Sequence, residues 1–248
     1  MKIITITSGK GGVGKTTTAI NLGVALNSFG KEVIVVDANL TTPNVGLHLG
    51  APIVPVNLNH VMIGKANVSD AIYEHESGTK IIPSSLSVRE LKRLNHKKLK
   101  DVARKLQGMA DYVIFDSAAG LGEEAVASID VADELIIVTN PEITAVTDAL
   151  KAIKMAEDMG KKVKGVIVTK TTGNKNEMAI SNIKEMLDVP LLGVVPNDKN
   201  VLASLRNKDA IFHCFPYSKA SRAYRKIASR IANISYKEPT FMQRVFGR

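Results

Sequence analysis

The 248-residue sequence predicts an α/β fold in which a mostly parallel central sheet is flanked by helices. Three observations predict it. Short apolar runs rich in Ile and Val recur along the chain and suit buried strands. Segments of helical period separate them, which favours parallel pairing through right-handed crossovers. No internal repeat or low-complexity linker interrupts the alternation, so we expect a single domain over residues 1–236 and a short tail at 237–248.

The strands are expected at 3–7, 33–36, 112–115, 135–138, 165–168 and 191–195, with a weaker one at 80–83. A helix over 16–28 places Ala19, Ile20, Gly23 and Leu26 on one face, and Gly30 ends it. Asn95 is a suitable cap for a basic helix over 96–107 with Leu99, Val102, Ala103 and Leu106 inward. A longer helix over 143–159 follows the turn Asn140-Pro141-Glu142. Ser218 opens a last helix with Ala220, Ala223, Tyr224, Ile227, Ala228, Ile231 and Ala232 on one face and Arg222, Arg225, Lys226 and Arg230 on the other. In such sheets ligands sit beyond the strand carboxyl ends, so function is sought in the loops there.

Composition removes several function classes. No apolar run approaches the roughly 20 residues of a spanning helix, and the first strand runs into a glycine loop with no cleavage site of the signal-peptide kind. One cysteine, Cys214, leaves no intramolecular disulfide and no multi-thiolate cluster; between Phe212 and Phe215 it reads as a small buried hydrophobe. His48, His60, His75, His96 and His213 lack the short spacings of a zinc site. No serine sits in a nucleophile elbow. With no Trp and 4% aromatics, broad stacking on nucleic acid is not expected. The net charge of +9 is concentrated: residues 89–105 carry +6 and 199–230 carry +7, leaving the remainder at −4. Such clusters form either an anion-facing surface or a solvated helix face.

The first strand ends in Thr7-Ser8-Gly9-Lys10-Gly11-Gly12-Val13-Gly14-Lys15-Thr16-Thr17, which satisfies Gly-x-x-x-x-Gly-Lys-Thr between a strand and a helix. Glycines let backbone N–H groups turn inward around phosphate oxygens at the positive end of the helix. Lys15 supplies a charge to the β- and γ-phosphates, and the Thr16 hydroxyl suits Mg²⁺. Asp37 and Asp116 both end apolar strands. Two acids flanking one phosphate loop are what a Mg²⁺–phosphate site demands.

Lys10 adds a second lysine, and a loop with lysines at both places resembles the deviant Walker A motif of the MinD/ParA family of P-loop ATPases. The likeness continues through Val33-Ile34-Val35-Val36-Asp37, through Thr41-Thr42-Pro43-Asn44-Val45-Gly46-Leu47 as a first switch, and through Tyr112-Val113-Ile114-Phe115-Asp116-Ser117-Ala118-Ala119-Gly120-Leu121-Gly122 as a Walker B strand and second switch. Val138-Thr139-Asn140-Pro141-Glu142 and the segment Val189-Pro190 to Asn197-Asp198 also match, so the likeness runs unbroken over about residues 2–235. It implies an ATPase using ATP and Mg²⁺. The nucleotide would be held by Gly9, Lys10, Gly11, Gly12, Val13, Gly14, Lys15, Thr16 and Thr17, and further by Thr169, Lys170, Pro196 and Asn197. The metal would be held by Thr16, Asp37 and Asp116 (the last through a bound water), with Asn44 and Gly120 in the switches; Lys10, Lys15, Asp37, Asn39 and Asp116 would carry the catalysis, Asp37 near the attacking water. Lys10 would cross the interface of an ATP-dependent homodimer to the partner's nucleotide.

Two residues depart from the pattern. Family members usually carry a second aspartate where this chain has Asn39. An amide orients water but cannot accept a proton, so slow hydrolysis is expected. Ala118 replaces a frequent proline and would loosen the second switch. The lone Cys214 separates the chain from related iron–sulfur carriers, which use paired cysteines. The tail carries Phe241, Met242, Val245 and Phe246 on one helical face with Arg244 beside them and resembles the membrane-targeting helix of MinD. The expected behaviour is that of a cytoplasmic switch, peripheral on the inner face of the cell membrane when ATP-bound, positioning division machinery or other cargo through a protein partner. The alternatives are a ParA-like partitioning ATPase on nucleoid DNA, using the basic helices, and a weakly hydrolysing nucleotide-binding scaffold.

Overall fold

The computed structural model describes residues 1–91 and 94–238. The tail residues Phe241, Met242, Arg244, Val245 and Phe246 lie outside the described residues, as do Lys92 and Arg93. Eight strands form one sheet: β1 (Lys2–Thr7), β2 (Val33–Ala38), β3 (Tyr73–Glu74), β4 (Lys80–Ile82), β5 (Tyr112–Ser117), β6 (Glu134–Thr139), β7 (Lys162–Thr171) and β8 (Leu191–Pro196). Their order is β3-β4-β2-β5-β1-β6-β7-β8. Every pairing is parallel except β3 with β4. β3 is the strand that sequence reasoning missed: two residues on a hairpin give no period to read.

Helices are α1 (Lys15–Asn27), α2 (Val45–His48), α3 (Leu58–Met62), α4 (Val88–Leu91), α5 (Leu99–Lys105), α6 (Glu123–Asp130), α7 (Ile143–Asp158), α8 (Ile180–Leu187), α9 (Asn200–Arg206), α10 (Ile211–Cys214) and α11 (Lys219–Ile231). The basic helix expected over 96–107 is a single 3₁₀ turn, His96–Lys98, leading into α5. Asn95 Oδ1 caps that turn by accepting from Lys97 N, and Ser218 Oγ caps α11 by accepting from Ser221 N. Among the described residues no helix is long and apolar enough to cross a membrane.

Central strands are buried on both faces, as parallel strands under two helical layers must be. On one face Ile4, Ile6, Val33, Val35 and Ile114 pack with Leu22, Leu26, Tyr224 and Ile227 of α1 and α11. On the other, Ile3, Ile34, Val36 and Phe115 pack with Leu58, Val61, Leu99 and Val102 of α3 and α5. Close approach needs glycine at Gly23, where a Cβ would stand 2.8 Å from Val35 Cγ2.

Part of the clustered charge is engaged within the fold. Asp101 takes both Lys98 and Arg104, and Lys100 pairs with Asp130. On α11, Arg225 lies 4.5 Å over the Phe212 ring and Arg230 donates to the Leu192 carbonyl. Cys214 differs from its expected role as a buried hydrophobe. It is half-buried, and its thiol donates to Asp209 Oδ2 at 3.2 Å, because the turn between α9 and α10 brings the carboxylate alongside. Burial and that carboxylate push the thiol up to about 11, so it stays protonated.

Candidate nucleotide site

The loop Ser8–Gly14 joins the carboxyl end of β1 to α1, the place where parallel strands leave their helix-capping amides facing one space. Gly14 has φ 95° and Gly12 φ 75°, so both need the left-handed freedom of glycine. Gly14 leads directly into Lys15, whose buried ammonium is lowered from its ordinary pKa by desolvation, against a smaller pull from Asp116. Lys15 makes no ion pair among the described residues. A buried lysine whose desolvation the pull of Asp116 does not offset is matched to an anionic ligand.

Asp37 and Asp116 face each other in the β2–β5 register and are both fully buried. Asp116 Oδ2 accepts from Thr16 Oγ1 at 2.6 Å, while Oδ1 has no hydrogen-bond partner. Burial pushes Asp116 up to about 6, although Thr16 and Lys15 pull it down. This orphaned, buried oxygen beside a hydroxyl is a set of hard donors suited to Mg²⁺. Asp37 is raised well above the usual carboxylate range by burial and by Asp116. Its Oδ2 accepts from Asn44 N and Val45 N, each at 2.9 Å, and Oδ1 accepts from Asn39 N at 3.3 Å. The carboxylate thus holds the first amides of α2 and is not on the wall of the cavity above it.

A cavity of about 760 Å³ opens over the loop. It brings together Gly11, Gly12, Gly14, Lys15, Thr16, Thr17, Asn39, Asn44, Thr169, Lys170, Pro196 and Asn197. Gly9, Lys10, Val13, Asp37, Asp116 and Gly120 stand off its wall. Gly9 instead meets α7: a Cβ there would lie 2.1 Å from the Asp148 carbonyl oxygen. Val13 is buried in the core, and its carbonyl accepts from Thr169 Oγ1. Lys170, at φ 56°, donates from Nζ to the Gly12 carbonyl at 2.6 Å, so β7 braces the loop at two points. Gly120, at φ 84°, donates its N–H to the Ser8 carbonyl and ties the second switch to the same loop. Asn39 Oδ1 accepts from Thr42 N and Thr42 Oγ1, shaping the first switch.

Lys10 lies outside the cavity. Its Nζ contacts Glu142 Oε2 at 2.8 Å and Thr144 Oγ1 at 3.2 Å, both at the start of α7. Exposed Leu121 and Ile143 belong to the neighbouring second-switch and α7 segments.

The cavity wall also carries Thr42, Ala119, Val195 and Asp198, which lie in the matched segments but were not singled out for the nucleotide, and His48, Lys199, Val201, Leu202, Leu205 and Tyr224, which sequence reasoning missed. Tyr224 was legible only as an inward face of α11; its hydroxyl meets Thr18 Oγ1 at 3.3 Å, and burial pushes it up to about 12. His48 was read as one of five scattered histidines. It is half-buried at the end of α2, and desolvation lowers its pKa. Asp198, the last residue of the matched segment, holds Asn200 N and Ala220 N at the starts of α9 and α11.

Residues 1–232 match the ParA family model, described as NUBPL iron-transfer P-loop NTPase. An uncharacterised ATP-binding protein of Methanocaldococcus jannaschii is 38% identical over 94% of this chain and 89% of its own length. The septum site-determining protein MinD of Synechocystis is 33% identical, covering 93% of this chain and 89% of the relative. Among solved structures, MinD of Pyrococcus horikoshii complexed with Mg-ADP superposes with a TM-score of 0.89 at 33% identity, over 93% of this chain and 95% of that one.

Proposed function

The chain belongs to the ParA family of P-loop NTPases, and from that membership we propose that it is an ATP-dependent, dimerising switch of the MinD kind with slow hydrolysis. The observation that carries the reading is the division of labour between two lysines of one loop. Lys15 is buried in the cavity without an ion-pair partner among the described residues, whereas Lys10 reaches out of the same loop at the protein surface.

ATP is the substrate and Mg²⁺ the cofactor. The loop amides and Lys15 would bind the β- and γ-phosphates, and Thr16 with Asp116 would hold the cation, whose chemistry there would be to offset the charge that develops on the phosphoryl group. Asp37 is a positioning residue: through Asn44 N and Val45 N it fixes where the first switch begins. Water oxygen bonds to the γ-phosphorus as the bond to the β–γ bridging oxygen breaks, the water's proton passing to an oxygen of the transferred phosphoryl group, and ADP and phosphate are released. Asn39 Oδ1 is engaged with Thr42, so the side chain offers the cavity an amide donor and no base. Orientation without proton acceptance supports a slow step.

For dimerisation, Lys10 would exchange its exposed contact with Glu142, worth about 0–1 kcal/mol, for the partner's phosphates. Leu121 and Ile143, 40% and 59% exposed, supply apolar surface that a second copy would cover. The working surface is a membrane, through the tail residues Phe241, Met242, Val245 and Phe246, whose two copies on a dimer bind far better than one. The basic face of α11 supports the DNA alternative less well, because Arg225 and Arg230 are engaged within the fold.

Calorimetric titration of Lys15→Ala with ATP–Mg²⁺ tests the nucleotide assignment. Binding is expected to vanish, and unchanged affinity would overturn it. ATP-dependent sedimentation with anionic liposomes, expected for the full chain and lost on truncation after Glu238, tests the tail. Sedimentation that survives truncation would place the contact elsewhere.

A further inference from the structure

On the premise that the cavity takes ATP, as proposed above, we infer that His48 stacks on the nucleotide's base and so ties the first switch to it. Two parts of the cavity wall differ in chemistry. One carries Lys15, the loop glycines and Thr16, which suit a triphosphate. The other carries Val201, Leu202 and Leu205 of α9, beside Pro196 and Asn197 at the end of β8. Val201 and Leu205 are half-buried and Leu202 is 67% exposed, so α9 offers open apolar surface to the cavity. Ribose and phosphates gain nothing from leucine side chains, whereas a flat base leaves water there at little cost.

His48 reaches the same cavity from the first switch. Gly50, two residues beyond it, abuts Lys208, two residues beyond α9: a Cβ on Gly50 would lie 3.2 Å from Lys208 Cβ. The end of the switch and the end of α9 therefore meet, and His48 and the α9 side chains line the cavity from two elements that converge. His48 is half-buried, and its ring makes no hydrogen bond or ion pair among the described residues. Desolvation lowers its pKa, which leaves the ring uncharged at pH 7. An uncharged aromatic face with no partner, on a wall shared with leucines, suits a base lying between them.

The contact has a consequence for the switch. α2 is four residues long, its first amides held by Asp37 and its last residue His48. A base stacked on His48 fixes the other end of that helix whether or not a γ-phosphate is present. ATP and ADP should benefit alike.

The chain has no Trp, so a His48→Trp variant carries its single indole at the site. Its emission should be quenched by ATP–Mg²⁺ and by ADP–Mg²⁺, and left unchanged by inorganic tripolyphosphate with Mg²⁺. In calorimetric titrations of the full chain, His48→Ala should weaken ATP and ADP by about tenfold each, the order of one base–aromatic stack, with tripolyphosphate affinity unchanged. His48→Phe should restore both nucleotides, because it keeps the ring face and lacks the nitrogens. Undiminished ATP affinity in His48→Ala, an equal loss of tripolyphosphate, or an unquenched His48→Trp would overturn the proposal. So would a His48→Phe protein as weak as His48→Ala, which would make His48 a hydrogen-bonding partner of the ribose or of the base edge. Lys15→Ala should lose all three ligands. If it does so while His48→Ala binds ATP normally, the nucleotide reading stands and the stack fails.

Discussion

Gly9→Ala should damage the fold before it damages nucleotide contacts. Gly9 belongs to the phosphate-loop motif, yet it does not line the cavity; its missing side chain makes room for α7. A Cβ at this position would sit 2.1 Å from the Asp148 carbonyl oxygen and 2.7 Å from Asp148 Cβ. Ordinary contact begins near 3.4 Å, so α7 or the loop must move by about 1 Å, and both are backbone. Overpacking of this kind costs typically about 1–3 kcal/mol. For a chain of this size that lowers Tm by about 2–4 °C per kcal/mol, hence by about 2–12 °C. Thermal unfolding of the apo protein followed by circular dichroism measures it. Because α7 carries Thr144 and Glu142 immediately precedes it, the Lys10 contacts should loosen as well. Unchanged apo stability together with reduced ATP affinity would refute the reasoning and return Gly9 to the nucleotide.

Two further outcomes are expected. Glu134, 5% exposed at the start of β6, would be raised by burial, but Lys164, Lys162 and Lys2 outweigh that and hold it at about 2. A carboxylate held lower in the folded chain than in the unfolded one stabilises the fold above the unfolded pKa, near 4.5, and loses that contribution as pH falls toward 2. The difference corresponds to about 3 kcal/mol at most, reduced to about 2 kcal/mol by screening at the exposed Lys2 and Lys162. Urea unfolding should show Glu134→Gln less stable by that amount at pH 7, with the gap closing below pH 4.5; a pH-independent gap would contradict it. Asn39→Asp should raise steady-state ATP turnover by supplying a proton acceptor, on the order of 10²-fold at most, as phosphate release reports; equal rates would show that residue 39 is not the brake.

The sheet was legible because its strands are buried on both faces, and an unbroken apolar run such as 33–36 is what that environment demands. β3, the four- and five-residue helices α2, α3, α4 and α10, and the seven- and eight-residue helices α6, α8 and α9 were not, since elements of one or two turns show too few periods to read. α2 forms because Asp37, a residue of β2, accepts its first amides. In the site, the phosphate loop could be read from spacing alone, as its chemistry is done by consecutive backbone amides. The far wall could not: Leu202, Leu205 and Tyr224 reach the cavity from α9 and α11, about two hundred residues from the loop, and as ordinary apolar positions they carry no mark. Gly9 and Asp37 show the converse. The sequence marked Gly9 for the nucleotide and Asp37 for the metal, and the fold gives each a further task, packing against α7 and anchorage of α2.

Sedimentation velocity of the wild type and of Lys10→Ala, each with ATP–Mg²⁺ and with ADP–Mg²⁺, tests the switch most directly. The wild type should sediment as a dimer with ATP and as a monomer with ADP, and Lys10→Ala should remain monomeric in both while binding ATP as tightly as the wild type. A wild type whose mass is the same with either nucleotide, or a Lys10→Ala protein that dimerises normally with ATP, would contradict the account.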